Sequence, residues 1–322
     1  MCVINSFFPW IGGKKLLRDI ILERFPINYD RYIEVFGGAA WILFAKQPEP
    51  FEVYNDYNSD LTNLFYVIKY RPLAFLEELG WLPLNGREEF DLLLDWNRKK
   101  DFSLPYLKDE MSLAKRYLKD VEYREYTEML EEKSKLGDVR RAVIFYKLIR
   151  YSYAGESTSY NAQPTNIMQT YKTIWLANRR LNENGAKSTK ELQKADGIAG
   201  KGVIIQNRSY ETLVPMFDRP SAFFYCDPPY YGTEKLYMER FSLDDHYSLN
   251  RILSSIQGRF MLSYNDCEFI RDLYKDFNIE TVERLNSISQ RYDPGNMFKE
   301  VLIANYDMNE RRKKQPSQLS LL

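Results

Sequence analysis

RYIEVFGGAAWILFAKQPEPFEVYNDYNSDLTNLFYVIKY, residues 31–70, states one local plan twice. "RYIEV" is a short apolar run that stops before the pair Gly37–Gly38, and "AAWILFA" then continues with helical character. "FEVYN" is a second short run, closed by Asp56, with a helix expected to start near Asn58 or Ser59. Strand, turn and helix, repeated, open an α/β domain on a parallel sheet. Upstream, "GGKKLLRDIILERF" (12–25) spaces its apolar residues for a helix behind a glycine pair.

From about residue 71 to 200 the character changes. "YLKDEMSLAKRYLKDVEYREYTEMLEEKSKL" is charged and helical, "RRAVIFYKLIRYSYAG" is a more buried helix, and "ESTSYNAQPTNI" reads as a loop or hairpin. "NENGAKSTKELQKADGIAGKG" is a polar connection leading back to strand-like text. There "GVIIQ", "SAFFYC", "RFMLSY", "IETVERL" and "EVLIANY" are expected strands. The simplest architecture is one sheet domain made from both ends of the chain (1–61 and 201–310). A mainly helical insertion (62–200) separates them, and a flexible tail (311–322) follows.

Composition narrows the function. Among 322 residues, 45 basic and 45 acidic side chains cancel, so no global basic field announces a polyanion, although local patches remain open. Aromatic residues make up 15% of the chain, enough both to pack a core and to stack on flat ligands. The three cysteines have no metal-like spacing and cannot all pair, which suggests a reducing compartment. His246 is the only histidine, which argues against a histidine triad or a histidine-rich metal site. No leader-like start and no membrane-length apolar run is found, so a soluble cytoplasmic protein without metal or membrane is expected.

Two motifs carry chemistry. In "EVFGGAA" (34–40), small residues between strand and helix let a backbone approach a ligand, but there is no dinucleotide fingerprint and no phosphate-binding lysine and hydroxyl. A ligand-free tight turn and a binding turn are both open on this motif alone. Asp56, some twenty residues on, stands where a carboxylate accepts both hydroxyls of a ribose; a helix-start acid is the plainer account. Together they favour a nucleoside ligand with little phosphate contact, and S-adenosylmethionine fits better than NAD or ATP.

"CDPPYYG" (226–232) ends an apolar strand on Asp227 and two prolines. An exocyclic amino nitrogen of a base is a poor nucleophile because its lone pair is delocalised into the ring. Asp227 and the Pro228 carbonyl, held rigid by the prolines, can each accept one amino hydrogen and localise that pair, with Tyr230 stacking on the base. A capped turn after a strand is the alternative.

Taken in order, "FPWIGGKK" (7–15, with its leading aromatic), "EVFGGAA", "NDYNSDLTNLF" (55–65), "NRSYETL" (207–213) and "CDPPYYG" resemble the motifs of the D12-class, Dam-like DNA adenine methyltransferases. Weaker echoes are "RYSYAG" (150–155), "LSYND" (262–266) and "EVLIANY" (300–306). The resemblance implies a Rossmann-like class I methyltransferase sheet domain with an inserted, mainly helical target-recognition domain. It also implies Trp10, Lys14, Phe36, Gly38, Asp56, Ser209, Tyr210 and Asp227 at the S-adenosylmethionine site, with Lys14 meeting the donor's carboxylate. Asp227, Pro228 and Tyr230 would be catalytic, acting on a flipped adenine in duplex DNA. Arg140, Arg141, Lys147 and Arg150 lead into the polar loop of the insertion, where Arg150, Tyr151 and Asn161 would contact DNA. Val35 and Ala39–Ala40 depart from the family pattern.

The ending Gln318–Leu322 resembles a peptide that holds the DNA sliding clamp, and a disordered end competes with that reading. Three functions compete for the whole chain: an adenine methyltransferase of duplex DNA, an exocyclic-amine methyltransferase of RNA or cytosine, and a catalytically silent DNA-binding protein on the same scaffold.

Overall fold

The computed structural model describes residues 4–81, 86–99, 107–134, 137–152, 159–161, 167–183, 185, 202–232, 241–285 and 297–314. These fall into two compact units. One holds the described residues of 1–6, 12–62 and 179–322, the other those of 7–11 and 63–178.

In the first unit, seven strands form one sheet: β1 (Arg31–Glu34), β2 (Phe51–Asn55), β3 (Ile204–Gln206), β4 (Ala222–Cys226), β5 (Arg259–Asn265), β6 (Asn278–Leu285) and β7 (Met297–Ala304). Their order is β3-β2-β1-β4-β5-β7-β6. The first five are parallel, and β7 lies antiparallel between β5 and β6. This is the Rossmann-like methyltransferase sheet expected from the motifs. β2 and β4 are buried at every position; β4 therefore reads as a continuous apolar run rather than as alternation, while β2 also buries Glu52 and Asn55.

Ile33 pairs with Val53 on one side and Phe224 on the other, so β1 is the centre from which the chain winds in both directions. The carboxyl ends of β1 and β4 therefore diverge, and such a switch point opens a crevice for a ligand. Residues 35–38, 56 and 227 all follow strand ends on this edge.

The helices are α1 (Arg18–Glu23), α2 (Trp41–Ala45), α3 (Ser59–Tyr70), α4 (Pro72–Trp81), α5 (Arg87–Lys99), α6 (Leu107–Tyr117), α7 (Asp120–Ser134), α8 (Gly137–Arg150), α9 (Ile167–Asn182), α10 (Tyr210–Phe217), α11 (Leu243–Ser255), α12 (Glu268–Leu273) and α13 (Glu310–Lys314). One sheet face packs Ile33, Val53, Phe224, Leu262 and Ile303 against Leu213 and Val214 of α10 and Leu249 and Leu253 of α11. Below β2, buried Glu52 takes a bidentate pair from Arg180 at 2.7 and 2.9 Å.

The second unit is helical and centres on α8, whose Val143, Ile144, Leu148 and Ile149 are buried. Tyr146 meets Phe75 of α4 edge-on at 5.5 Å, and Phe90 and Leu93 of α5 join the cluster of Ile144 and Leu148. Of the loop or hairpin expected after α8, the described residues show an isolated antiparallel bridge between Ser152 and Tyr160.

The segment expected to be a flexible tail from 311 begins instead as α13. Arg311 donates to the carbonyls of Phe25 and Pro26 at 2.8 and 3.0 Å, and these bonds anchor it. Residues 318–322, which resemble a clamp-holding peptide, lie outside the described residues, as does most of the 182–202 connection. Among the described residues, no helix is long and apolar enough to cross a membrane, and no cluster of histidine, cysteine and acidic side chains could hold a metal ion.

Candidate active site

The turn after β1 is shaped by close packing. A Cβ at Gly37 would run into the Tyr54 ring and the Asn55 carbonyl, so only glycine fits there. Gly38 has φ 48°, and Ala40 follows it into the left-handed region at φ 54°. Ala40, one of the two alanines that depart from the resemblance, takes this strained conformation without being glycine. The Gly38 amide donates to Asp56 Oδ2 at 2.8 Å, while the Asn58 amide donates to Oδ1 at 2.8 Å. Two backbone amides thus fix the Asp56 carboxylate.

Asn55, buried at the end of β2, joins this turn to the segment before α10. Its amide donates to the Val35 and Arg208 carbonyls at 2.8 and 3.1 Å and accepts from the Arg208 amide at 2.9 Å. Asn207 donates to the Asp56 and Tyr57 carbonyls, both at 2.8 Å. Ser209 is the N-cap of α10, accepting from the Thr212 amide. Phe36, Tyr210 and Phe241 form a triangle of rings with centroids 5.8 to 5.9 Å apart. Tyr210 is oriented by donating to Asp245 Oδ1 at 3.0 Å.

At the end of β4, Asp227 Oδ1 accepts from Lys14 Nζ at 2.7 Å and from the Ser263 hydroxyl at 2.8 Å. Tyr225 lies 3.3 Å from the same hydroxyl and must be its donor, since Ser263 spends its one proton on Asp227. Among the described residues Asp227 Oδ2 has no hydrogen bond. Burial pushes the Asp227 carboxyl above the ordinary range, opposed by Lys14 and reinforced by the charge of Glu300. Pro228 is buried, and Tyr230 donates its hydroxyl to Glu300 Oε2. Lys14 Nζ also donates to the Gly12 carbonyl at 3.0 Å and stands 4.8 Å from the Tyr230 ring centre.

The first unit thus gathers Phe36, Gly38, Asp56, Ser209 and Tyr210 around one turn, and Lys14, Asp227, Pro228 and Tyr230 around another, both on the same sheet edge. Lys14, expected to meet a donor carboxylate, has its ammonium taken by Asp227 and Glu300. Trp10 falls in the second unit, where it packs against Phe8 and Phe145. In that unit the Asn161 amide donates to the Tyr151 carbonyl at 2.7 Å, which sets Asn161 beside the end of α8 and Arg150. Arg140 is paired with Glu78 at 2.9 Å and Lys147 is buried, so these two members of the basic stretch serve the packing of the helices.

Sequence reasoning missed Ser263, Arg284 and Glu300. The only signals were "LSYND" and "EVLIANY", which hold Ser263 and Glu300 as ordinary strand residues.

The comparisons agree with this geometry. The family model of the D12 class N6 adenine-specific DNA methyltransferases matches residues 10–288. A type II methyltransferase of Lactococcus lactis subsp. cremoris is 22% identical over 313 residues, covering 94% of this chain and 96% of its own. A DNA adenine methylase of Haemophilus influenzae is 24% identical over 315 residues, covering 92% of each. A retron DNA adenine methylase of Escherichia coli is 24% identical over 290 residues, 88% of this chain and 86% of its own. With the motifs in order, the switch-point carboxylates in place and the family matched over nearly the whole length, the chain belongs to the D12 class of N6 adenine-specific DNA methyltransferases.

Proposed function

We propose that the chain methylates the 6-amino group of an adenine turned out of duplex DNA at a defined site, with S-adenosylmethionine as donor. The observation that carries this reading is the Asp227 carboxylate: Oδ1 is committed to Lys14 and Ser263, while Oδ2 is open among the described residues. One oxygen anchors the side chain, and the other is available to accept an amino hydrogen.

The residues of the first turn fit the donor. Asp56 is a fixed carboxylate suited to a pair of ribose hydroxyls, the Phe36–Tyr210–Phe241 rings suit an adenine, and the tight glycine turn lets backbone approach. Bound there, S-adenosylmethionine supplies a methyl group on a positively charged sulfur. The chain's own residues act on the acceptor. Asp227 Oδ2 and the Pro228 carbonyl each accept one amino hydrogen, which turns the nitrogen lone pair out of the ring plane toward the methyl group. Tyr230, held at its hydroxyl by Glu300, is a plate for the base to stack on. As the nitrogen gains the methyl group it sheds a proton, and Asp227, whose proton affinity burial raises, is the acceptor beside it.

An amino group inside a duplex is out of reach of such a pocket, so the adenine must leave the stack. Arg150, Tyr151 and Asn161, gathered at the end of α8, are the DNA contacts of this reading.

Labelled methyl transfer to duplex DNA, single-stranded DNA and RNA, with Asp227→Ala in parallel, tests the proposal. The expected product is 6-methyladenine in duplex DNA, reduced at least about 100-fold by the substitution, the scale of losing one key transition-state contact. Labelled cytosine or RNA as the main product, or an Asp227→Ala enzyme of full activity, overturns it.

A further inference from the structure

Glu300 has no role in the motif reading, yet it is completely buried and reaches two of the expected residues, Tyr230 and Lys14. It lies on β7 opposite Asn265, the last residue of β5, which brings it to the sheet edge that bears Asp227. Oε1 accepts from Arg284 Nε at 2.6 Å. Oε2 accepts from the Tyr230 hydroxyl and stands 3.8 Å from Lys14 Nζ. Lys14 in turn reaches Asp227 at 2.7 Å.

A buried carboxylate needs compensation, and a single arginine suffices for a purely structural pair. Glu300 has its arginine and also engages the stacking tyrosine and the lysine that holds the catalytic acid. The Tyr230 ring lies nearly parallel to Phe298, at 9°, and is fixed at its far end by Glu300. Burial alone would neutralise Glu300, but Lys14, Arg284 and Tyr230 together keep its carboxyl below the ordinary range, so it is a fixed negative charge.

We infer that Glu300 is a positioning residue for methyl transfer: it fixes the plane of Tyr230 and holds Lys14 in place against Asp227. The inference rests on the roles proposed above for Asp227 and Tyr230. The groups facing Asp227 are Lys14 from the turn before α1, Glu34 of β1, Tyr225 and Cys226 of β4, Tyr230 after it, Ser263 and Tyr264 of β5, and Glu300 of β7. Of these, Glu300 is the ionised acidic neighbour whose charge opposes ionisation of Asp227, since burial keeps Glu34 protonated up to about pH 8, and loss of the Glu300 charge makes Asp227 easier to ionise.

The test uses the full chain with Glu300→Gln, Glu300→Asp, Tyr230→Phe and Asp227→Asn. Methyl transfer to duplex DNA is measured across pH, together with donor binding and thermal unfolding. Glu300→Gln is expected to lower kcat about 10- to 100-fold, the scale of a misplaced reacting group, with donor KM little changed. Its acid limb of kcat moves to lower pH. Glu300→Asp keeps the charge but is too short for the tyrosine, so kcat falls while the limb stays in place. Tyr230→Phe is expected to do the same, and it tests the anchoring contact even if a Glu300 variant fails to fold. Folded, donor-binding Glu300→Gln with wild-type kcat and an unmoved limb overturns the inference, as does Tyr230→Phe with full kcat. Full activity in Asp227→Asn overturns the reading of the site instead, whereas inactive Asp227→Asn beside normal Glu300 variants removes only the role of Glu300.

Discussion

Lys14 Nζ lies 2.7 Å from Asp227 Oδ1, joining a residue from the first turn of the chain to the carboxylate after β4. Only about 5% of the Lys14 side chain is exposed, so solvent screens this pair poorly. Burial raises the proton affinity of Asp227, and Lys14 is the largest influence against it. Replacing Lys14 with methionine keeps the packing and removes the charge. The folded-state pKa of Asp227 then rises further, so the acid limb of kcat moves to higher pH and activity at neutral pH falls. A pH–rate profile of Lys14→Met checks this, and an unmoved limb excludes Lys14 as the group that keeps Asp227 ionised.

Asp56 combines two tasks. Its oxygens take the Gly38 and Asn58 amides, and on the proposed reading the same oxygens receive the ribose hydroxyls. Asp56→Ala removes both, leaving the Gly38 amide without its acceptor. Each hydrogen bond to a charged group contributes about 1.5–3 kcal/mol, so donor affinity is expected to fall at least about 10-fold. Calorimetric titration with S-adenosylmethionine, without DNA, measures this directly. Unchanged affinity would move the donor site away from β2.

Glu34 ends β1 and is buried, with its Oε2 accepting from the Tyr32 hydroxyl at 2.6 Å. Burial, and to a lesser extent the charge of Asp227, raise its pKa from 4.5 to about 8, against the hydrogen bonds from Tyr32 and Leu43. The folded state therefore binds this proton more tightly than the unfolded chain. The associated stability is fully present below pH 4.5 and is lost as pH rises toward 8, by at most about 1.4 kcal/mol per pH unit. Glu34→Gln keeps the shape and has no charge to desolvate, and the Tyr32 hydroxyl can rotate to suit either amide atom. Thermal unfolding at pH 5 and pH 8 should show the variant gaining on the wild type at the higher pH. Parallel melting curves would show that Glu34 is ionised in the folded protein.

Part of this site is displayed in the sequence, and part is created only by folding. β4 could be read directly because a strand buried on both faces is a continuous apolar run and two prolines mark where it stops, whereas β2 carries Glu52 and Asn55 and is read from its place in the repeated strand, turn and helix plan. Asp227 was legible as the first polar group past that run, and Asp56 as the acid of the turn that closes β2. Glu300, Ser263 and Arg284 were not. They come from a later strand and a hairpin, each looks ordinary in its own window, and only the antiparallel insertion of β7 beside β5 brings Glu300 to Tyr230. Lys14 was found but given a different partner, because its pairing with Asp227 depends on how the first turn meets β4. Lys147 and Arg140 belong with Arg150 to the basic stretch leading into the polar loop, but helix packing buries Lys147 and pairs Arg140 with Glu78.

Arg150 closes α8 beside Tyr151 and Asn161, where a local fold meets a polar loop. Arg140, ten positions earlier and about three turns away near the start of the helix, is already neutralised by Glu78. On the proposed reading Arg150 contacts a DNA phosphate. Arg150→Ala should then weaken binding to specific and unrelated duplexes by similar factors, and the dependence of log affinity on log salt should become shallower by about 0.9, one phosphate's share of released counterions. Fluorescence anisotropy with labelled duplexes over a range of salt concentrations makes the measurement. A loss confined to the specific duplex, with an unchanged salt slope, would show that Arg150 reads a base edge instead.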